Sequence, residues 1–532
     1  MSLTALVAVM LGPTLLGAPT PGPGGTPMAP QPPPKLLPAP PANLPAASRY
    51  ELPNGLRVVL IENHAAPWLE VELGFRVGSA SDPVGKEGLA SLTGEMLTGG
   101  IPGQDEQALA ESLARLGATI DAEVETDQIT VSGHVLTIVP ADARRFMELF
   151  ASVALDATLP EDVLARQKTL RLAGIQRLVD NPEALADTAM HAACFAGLPE
   201  ARPTFGTLTA IPAITRDDVV GWRDRAFVAA HGVLVVAGAI DKEAMLAWIA
   251  QRFAKVGEGV SCERQDGALP GRCTRLSKGD AASDPHALVN PMGLPRAKRR
   301  AEVEPPPSIV LVSIDEPMAQ IQWRYGAPNP FAVTHPDWGA FRLGTHVLGG
   351  EFNSRLNAIL RAREGLTYGA YFATNFGGWD SSAMYITTDA TTDALARSIE
   401  LGVAEWERMA AEPVPKQELE DTRSTLVNGF PFRFETVSDV LGQYSFVELA
   451  DVPWSWLGTW VDAVRRYDAK AVQTAFQAAE AASNPHLVVV GPPSLAPVLT
   501  TLGAKLGGKS GPWAVKVVPV QDFLAHGLAH GL

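Results

Sequence analysis

The segment Gly88-Leu89-Ala90-Ser91-Leu92-Thr93-Gly94-Glu95-Met96-Leu97 has the residue spacing of an α-helix. Ser91 and Glu95 lie four positions apart, so their side chains project from the same face of that helix. Gly94 between them costs a helix interior about 1 kcal/mol relative to alanine. A helix is also predicted at the comparable place in the second half of the chain, over residues 338–348. The segment therefore belongs to a repeated unit.

The order of predicted strands and helices is similar in the two halves. Residues 50–61 form a strand, an Asn-Gly turn and a second strand, a pattern typical of a hairpin. The first half continues with strands at 69–77, 119–135 and 232–239 and with helices at 88–97, 107–116, 141–155, 160–179 and 242–253. The second half has strands at 318–325, 367–376, 383–388 and 487–491 and helices at 338–348, 353–363, 393–409 and 415–428. The repeat predicts an α+β fold with two homologous halves, each an antiparallel or mixed sheet packed with helices.

The length of 532 residues exceeds what one hydrophobic core usually holds, so two or more domains are expected. We predict a signal segment at 1–18, a Pro-rich linker at 19–48, a first domain at 49–256, a linker or insertion at 257–307 and a second domain at 308–532. The apolar run 3–16 suits a signal sequence and is too short to span a membrane. It is atypical because no Lys or Arg precedes Lys35. We expect an exported, periplasmic protein with no stable membrane span.

Charge and cysteine content exclude some function classes. A formal net charge of -15 argues against a nucleic-acid partner, because binding to a phosphate backbone requires basic patches. The one dense basic run, residues 296–300, lies in the Pro-rich insertion. Cys262 and Cys273 flank a polar segment and could form a disulfide in an oxidising compartment. Cys194 lies in an apolar segment and is predicted to be an inert core thiol.

Short landmarks occur in the same order along both halves. They are Leu52-x-Asn54-Gly55-Leu56-Arg57-Val58, Val77-Gly78-Ser79 and Gly88-Leu89-Ala90, and then Leu348-Gly349-Gly350-x-Phe352-Asn353-Ser354-Arg355-Leu356 and Leu360-Arg361-x-x-x-Gly365-Leu366-x-Tyr368. This set resembles the pitrilysin/insulinase family of metallopeptidases, particularly its short bacterial members and the mitochondrial processing peptidase. The resemblance implies that the chain forms half of a clam-shell chamber.

The resemblance also implies that a zinc motif is lost. Active family members carry an inverted H-x-x-E-H helix, in which two histidines bind zinc and the glutamate activates water. The corresponding positions are Ser91, Gly94 and Glu95. The third ligand of the family is a glutamate on a later helix, where this sequence has Gly174, or Ala173 if the register slips by one. We therefore expect no zinc in this chain, no activity of the chain alone, and zinc in a partner subunit.

Two other family positions are retained, Arg361 and Tyr368. Many short family members are heterodimers in which one subunit carries the zinc motif and the other an Arg/Tyr pair. The resemblance thus implies a non-zinc subunit that orients a peptide or unfolded polypeptide for a homologous partner. The alternative for the residues is that Arg361 pairs with Glu364 or a nearby acid and that Tyr368 begins a half-buried strand. The alternative for the protein is a catalytically inert structural, peptide-binding or assembly protein.

The remaining candidates are weaker. His346 lies near the counterpart of the lost zinc helix and is interpreted as a core residue. His526 and His530 have metal-binding spacing, but glycines interrupt their helix and no third ligand is near. Ser91 lacks a visible base that would make it a nucleophile. Trp454 and Trp456 are interpreted as packing residues.

Overall fold

The computed structural model describes residues 44–256, 260–263, 272–275, 306–374, 382–482, 484–507 and 511–528, and for 260–263 and 272–275 only the strands. The predicted signal segment at 1–18, the linker up to residue 43, the basic run at 296–300 and His530 lie outside these residues. Within the described ranges, no helix is both long and apolar enough to cross a membrane.

The first half contains a six-stranded sheet and eight α-helices. Its strands are β1 (Ser48–Glu51), β2 (Arg57–Glu62), β3 (Trp68–Phe75), the short β4 (Gly100–Ile101) and β5 (Gln104–Asp105), β6 (Thr119–Val124), β7 (Ile129–Leu136) and β8 (Gly232–Gly238). Its helices are α1 (Leu89–Met96), α2 (Glu106–Leu116), α3 (Pro140–Asp156), α4 (Glu161–Gln176), α5 (Pro182–Cys194), α6 (Ala210–Ala213), α7 (Arg216–Ala226) and α8 (Lys242–Arg252). The predicted hairpin, strands and helices of this half are confirmed to within a few residues.

The strand order of the first sheet is β1-β2-β8-β3-β7-β6. β2 and β8 run parallel, whereas the other neighbours in the sheet are antiparallel. Both parallel strands are continuous apolar runs, because packed layers cover both of their faces. β6 forms the edge of the sheet next to α1.

The second half begins after two strands of the insertion, β9 (Val260–Glu263) and β10 (Arg272–Arg275). Its own strands are β11 (Ser308–Ser313), β12 (Ile321–Pro328), β13 (Ala370–Thr374), β14 (Ala383–Ala390), β15 (His486–Gly491) and β16 (Ala514–Pro519). Its helices are α9 (Trp338–Thr345), α10 (Leu395–Ala411), α11 (Lys416–Gly429), α12 (Val437–Leu449), α13 (Ser455–Arg466), α14 (Ala469–Ala482), α15 (Ala496–Gly507) and α16 (Val520–His526), and π-helical segments cover His346–Gly350 and Asn357–Arg363.

The second sheet repeats the topology of the first, which confirms the predicted α+β fold with two similar halves. Its order is β16-β11-β15-β12-β14-β13, in which the last five strands correspond in chain order to β2, β8, β3, β7 and β6 of the first sheet. The outer strand differs, because β16 is the last strand of its half whereas β1 is the first strand of its half. The one difference in direction is at the outer edge, where β16 is parallel to β11 but β1 is antiparallel to β2. The strand predicted at 318–325 is shifted: it begins at Ile321 and ends at Pro328. Sequence reasoning also missed β11, α5 and α12.

The two halves exchange a helix. α5 belongs to the first half by sequence but packs on β12 and β15 of the second sheet. α12 belongs to the second half and packs on β8 and β3 of the first sheet. α12 approaches β3 so closely that a side chain at Gly74 of β3 would not fit, because a Cβ there would lie 2.8 Å from Leu449 Cδ1. Each sheet therefore buries one face under a helix from the other half.

Charged side chains anchor each exchanged helix. Arg324 on β12 is fully buried, and its Nε donates to Asp187 Oδ1 of α5 at 2.6 Å. Glu448 on α12 is also buried and accepts from Arg49 Nε at 2.6 Å and from Arg57 Nη1 at 3.0 Å. These pairs fix the position of each helix on the sheet that it covers.

Glu448→Ala is expected to lower the free energy of unfolding by about 3–5 kcal/mol, because it leaves the buried Arg57 guanidinium without its carboxylate. Urea denaturation followed by circular dichroism measures the change. The control is Glu106→Ala, which removes a more exposed ion pair with Arg166 and is expected to cost less than about 1 kcal/mol. Equal losses in the two variants would show that the buried pair does not hold α12.

The fully buried His486 on β15 gives a pH-dependent contribution to stability. Its Nδ1 lies 3.0 Å from Ser308 Oγ, and burial lowers its pKa to about 4. Between pH 6.5 and 4 the unfolded chain therefore binds a proton that the folded chain does not, so this contribution is lost as the pH falls. We expect the stability difference between the wild type and His486→Asn to shrink by about 2–3 kcal/mol from pH 7 to pH 4, measured by urea denaturation. A constant difference would contradict the assignment.

The pairing of β9 and β10 bears on the predicted disulfide. The two strands are antiparallel, and Cys262 lies directly opposite Cys273. Opposed residues of antiparallel strands have Cα separations of about 4.5–5.5 Å, within the range that a disulfide requires. The backbone register is therefore compatible with the disulfide, which stays a prediction.

Candidate functional site

Helix α1 is held in place at its N-terminus by a buried carboxylate. Asp82 accepts hydrogen bonds from the backbone N–H groups of Gly88 and Ala90, both at 2.9 Å. Burial raises the pKa of Asp82 to about 8, and the two N–H donors oppose this shift. Gly88 has φ +95°, and a Cβ there would lie 2.9 Å from Gly206 Cα. Only glycine therefore suits the turn that starts this helix.

The three positions predicted to correspond to the zinc motif have different surroundings. Ser91 and Glu95 are half-buried on one face of α1, as their spacing predicts. Gly94 is buried and faces the edge strand β6, where a Cβ would lie 3.0 Å from Val124 Cγ2. A glutamate at position 94, where active relatives have their base, would therefore require Val124 to shift.

Arg171 of α4 bridges the two polar side chains of α1. Its Nη2 donates to Ser91 Oγ at 2.8 Å and to Glu95 Oε1 at 2.6 Å, while its Nη1 donates to the carbonyl oxygen of Phe205 at 3.0 Å. The Arg171 side chain is only 11% exposed and that of Glu95 is 23% exposed. The Arg171 guanidinium therefore contacts Ser91 and Glu95, the two positions at which the resemblance predicts histidine ligands in active family members.

Arg171, rather than Gly174, is the residue of α4 that contacts Ser91 and Glu95. Gly174 lies three residues later on α4, and a Cβ there would meet no atom within 4 Å. Gly174 as the third ligand position stays a prediction. Charge complementarity was the missed signal, because a half-buried Glu95 needs a cation and Arg171 is the nearest basic residue on that helix.

The residues present do not fit a catalytic zinc ion. Such a site needs about three protein ligands and an open position, whereas here one carboxylate is already paired with a guanidinium. Across the described ranges, no group of three or more His, Cys, Asp or Glu side chains could hold a metal ion. No catalytic step is derived through zinc in this chain.

Arg361 and Tyr368 are both exposed to solvent. Arg361 lies in the π-helical segment Asn357–Arg363, with its Cζ 4.1 Å from the ring centroid of Phe352. Within the described residues it makes no ion pair, and Glu364 pairs instead with Arg363 and Arg397. This arrangement contradicts the alternative in which Arg361 pairs with Glu364.

Tyr368 is 86% exposed and precedes β13 rather than starting a half-buried strand. Hydrogen bonds on both sides hold the backbone that carries it. Thr367 Oγ1 donates to Asp389 Oδ1 at 2.8 Å, and Thr388 Oγ1 donates to the carbonyl oxygen of Gly369 at 2.8 Å. An exposed phenol is thus presented on a fixed segment beside the edge strand of the second sheet.

The other candidates are packed side chains. His346 Nδ1 lies 3.3 Å from Glu351 Oε1, and burial together with two nearby arginines lowers the pKa of His346 to about 3. Trp454 Nε1 donates to Glu448 Oε1 at 2.8 Å, and the Trp456 ring packs against other aromatic rings. Cys194 is buried in the hydrophobic core.

Comparisons with known proteins agree with this fold. Residues 57–208 match the family model of the insulinases, peptidase family M16, and residues 213–426 match the model of the peptidase M16 inactive domain. An uncharacterised zinc protease of Mycobacterium tuberculosis is 24% identical over 417 residues, 78% of this chain and 86% of the relative. The non-peptidase homologue YmxG of Helicobacter pylori is 24% identical over 386 residues, 72% of this chain and 80% of the relative.

Two solved structures share the fold. A peptidase M16 inactive domain from Pseudomonas fluorescens superposes with a TM-score of 0.71 and 23% identity, covering 84% of this chain and 98% of that one. The periplasmic protease PqqL of Escherichia coli gives a TM-score of 0.63 and 14% identity over 86% of this chain and 47% of that one. With both family models matched, the chain belongs to the insulinase family, peptidase family M16, and in this member Arg171 bridges Ser91 and Glu95 of α1.

Proposed function

We propose that the chain is the non-zinc, Arg/Tyr-bearing subunit of a heterodimeric zinc metallopeptidase. The observation that carries this proposal is the contrast between the two sites. Arg171 closes the former zinc site, whereas Arg361 and Tyr368 stay exposed and, within the described residues, free of ion pairing. A residue pair kept open to solvent on a fixed backbone suits contact with a ligand.

Chemistry supports a peptide as that ligand. A guanidinium presents directed donors that match a peptide carbonyl or carboxylate, and a phenol adds one more hydrogen bond. Together these two side chains would orient a peptide or unfolded polypeptide.

The proposal requires a second, homologous subunit. That partner would carry an intact H-x-x-E-H motif and supply zinc, activated water and half of the chamber. Residues 49–256 and 308–532 of this chain would form the two lobes of the other half. We propose export to the periplasm as the location, which the apolar segment at 3–16 and the fold shared with a periplasmic protease support.

The competing function is an inert structural, peptide-binding or assembly protein on the same fold, as the name of the non-peptidase relative suggests for that protein. Purification from the native source under mild conditions distinguishes the two. We expect a homologous zinc-bearing chain to co-purify, with one zinc per heterodimer and peptidase activity that neither chain shows alone. Purification of the chain without a zinc-bearing partner, or full activity of that partner alone, would favour the inert function.

A further inference from the structure

Three segments that carry exposed side chains meet at one buried residue, Asn357. Its Nδ2 donates to the carbonyl oxygen of Glu351 at 3.4 Å, next to Phe352. Its Oδ1 accepts from the backbone N–H of Ala370 at 3.0 Å, two residues after Tyr368. Asn357 itself begins the π-helical segment that carries Arg361. One amide therefore ties the three segments together.

The segment that leads to Phe352, residues 349–352, packs against the backbone of β13. A Cβ on Gly349 would lie 2.3 Å from the backbone nitrogen of Phe372 on β13. The segment thus approaches β13 as closely as glycine permits. Tyr371, the preceding residue of that strand, is itself 43% exposed.

Phe352 is the least expected member of this group. Its side chain is 56% exposed although it is fully apolar. The guanidinium of Arg361 lies over its ring at 4.1 Å, a distance at which the ring attracts a cation and restricts its orientation. More than half of the Phe352 side chain stays open to solvent. Aromatic residues and arginine are enriched at the core of recognition interfaces.

We propose that Phe352 both positions the Arg361 guanidinium and contacts the bound peptide, so that this subunit selects peptides with an apolar or aromatic side chain beside the residue that Arg361 holds. The inference rests on the proposed function and adds a specificity to it. An apolar peptide side chain that covers the exposed part of the Phe352 ring removes apolar surface of both groups from water. A polar side chain in the same place gains less binding free energy, because it must give up its own hydrogen bonds with water.

The test measures peptide binding by the full chain with fluorescence anisotropy. The probes are two labelled ten-residue peptides of Gly and Ser, one of which carries a central Phe-Leu pair in place of Ser-Ser. We expect the wild type to bind the Phe-Leu peptide about tenfold more tightly. Phe352→Ala should abolish most of this preference, and Phe352→Tyr, which keeps the ring, should retain it. Equal thermal midpoints check that the variants are folded.

A double-substitution cycle tests the positioning role. We expect Arg361→Ala to weaken the binding of both peptides. Phe352→Ala should weaken the binding of the Ser-Ser peptide in the wild-type background but not in the Arg361→Ala background, because Phe352 acts on this peptide only through Arg361. If Arg361→Ala weakens binding but Phe352→Ala leaves the preference unchanged, the inference is overturned and the proposed function stands. If Arg361→Ala has no effect, the proposed role of Arg361 fails as well. Absence of any preference in the wild type, or loss of partner association alone in Phe352→Ala, also overturns the inference.

Discussion

The combined variant Ser91→His, Glu95→His and Arg171→Glu is expected to bind one zinc ion per chain, whereas the wild type binds none. The three substitutions place two histidines on one face of α1 and a carboxylate on the residue of α4 that already touches both positions. This is the number of protein ligands that a catalytic zinc requires. Elemental analysis after dialysis measures the metal. Zinc at 100 times its Kd should also stabilise the variant by about 2.7 kcal/mol, which a thermal melt detects.

The matched control is Ser91→His with Glu95→His and an unchanged Arg171. We expect this variant to hold no stoichiometric zinc, because the guanidinium remains at the position of the metal without its carboxylate partner. Zinc binding by the control as tight as by the combined variant would show that Arg171 does not block the site. A tightly held zinc in the wild type, lost on Glu95→Ala, would show that the site is a metal centre after all.

Restoring peptidase activity requires more than metal binding. The variant Ser91→His, Gly94→Glu and Glu95→His is expected to stay inactive, because Arg171 remains and the new Glu at position 94 would crowd Val124. Strong activity of this variant in a peptide-cleavage assay would contradict the role given to Arg171.

Arg361→Ala is expected to reduce kcat/KM of the reconstituted heterodimer by roughly 30- to 1,000-fold without disturbing assembly. The loss of a charged donor to the substrate typically corresponds to about 2–4 kcal/mol. Arg361→Lys should restore little, because an ammonium lacks the planar fork. Tyr368→Phe should cause a smaller loss of about three- to tenfold, since only one hydroxyl hydrogen bond disappears.

The chain offers a control two residues away. Arg363 is also exposed, but it pairs with Glu364, with Nε and Oε1 3.1 Å apart. Arg363→Ala is expected to change kcat/KM less than twofold, which separates the role of Arg361 from a general effect of surface charge. If the reconstituted heterodimer keeps its full kcat/KM after both Arg361 and Tyr368 are replaced, the pair does not orient the peptide. That result would favour the inert structural, peptide-binding or assembly protein.

Sequence patterns were sufficient for the fold because each half alternates apolar strands with amphipathic helices in the same order. They did not predict the exchange of α5 and α12. Periodicity shows that a helix has an apolar face, but it does not show which sheet that face covers. The first strand of the second half, β11, was missed because the Pro-rich insertion ends directly before it.

Within the candidate site, features set by local helical spacing could be predicted from the sequence, whereas contacts set by packing between elements could not. The shared face of Ser91 and Glu95 follows from helical spacing alone, whereas the contact with Arg171 depends on how two helices pack. Gly174 came from a motif register and stays a prediction, whereas the contact of Arg171 with Glu95 is one of charge complementarity. Arg361 and Tyr368 were found through family resemblance, and the stacking of Arg361 on Phe352 depends on a loop conformation that spacing does not encode.

Because each sheet is covered by a helix from the other half, the two halves cannot move independently as rigid bodies. Neither half can swing away without exposing an apolar face of its own sheet and pulling Glu448 or Asp187 from its buried arginine. In the proposed heterodimer, an entry gap for a polypeptide would therefore have to open between the two subunits. By the same logic, a protease cut between residues 257 and 305 would leave two fragments that stay associated, because each fragment still holds the helix that the other needs.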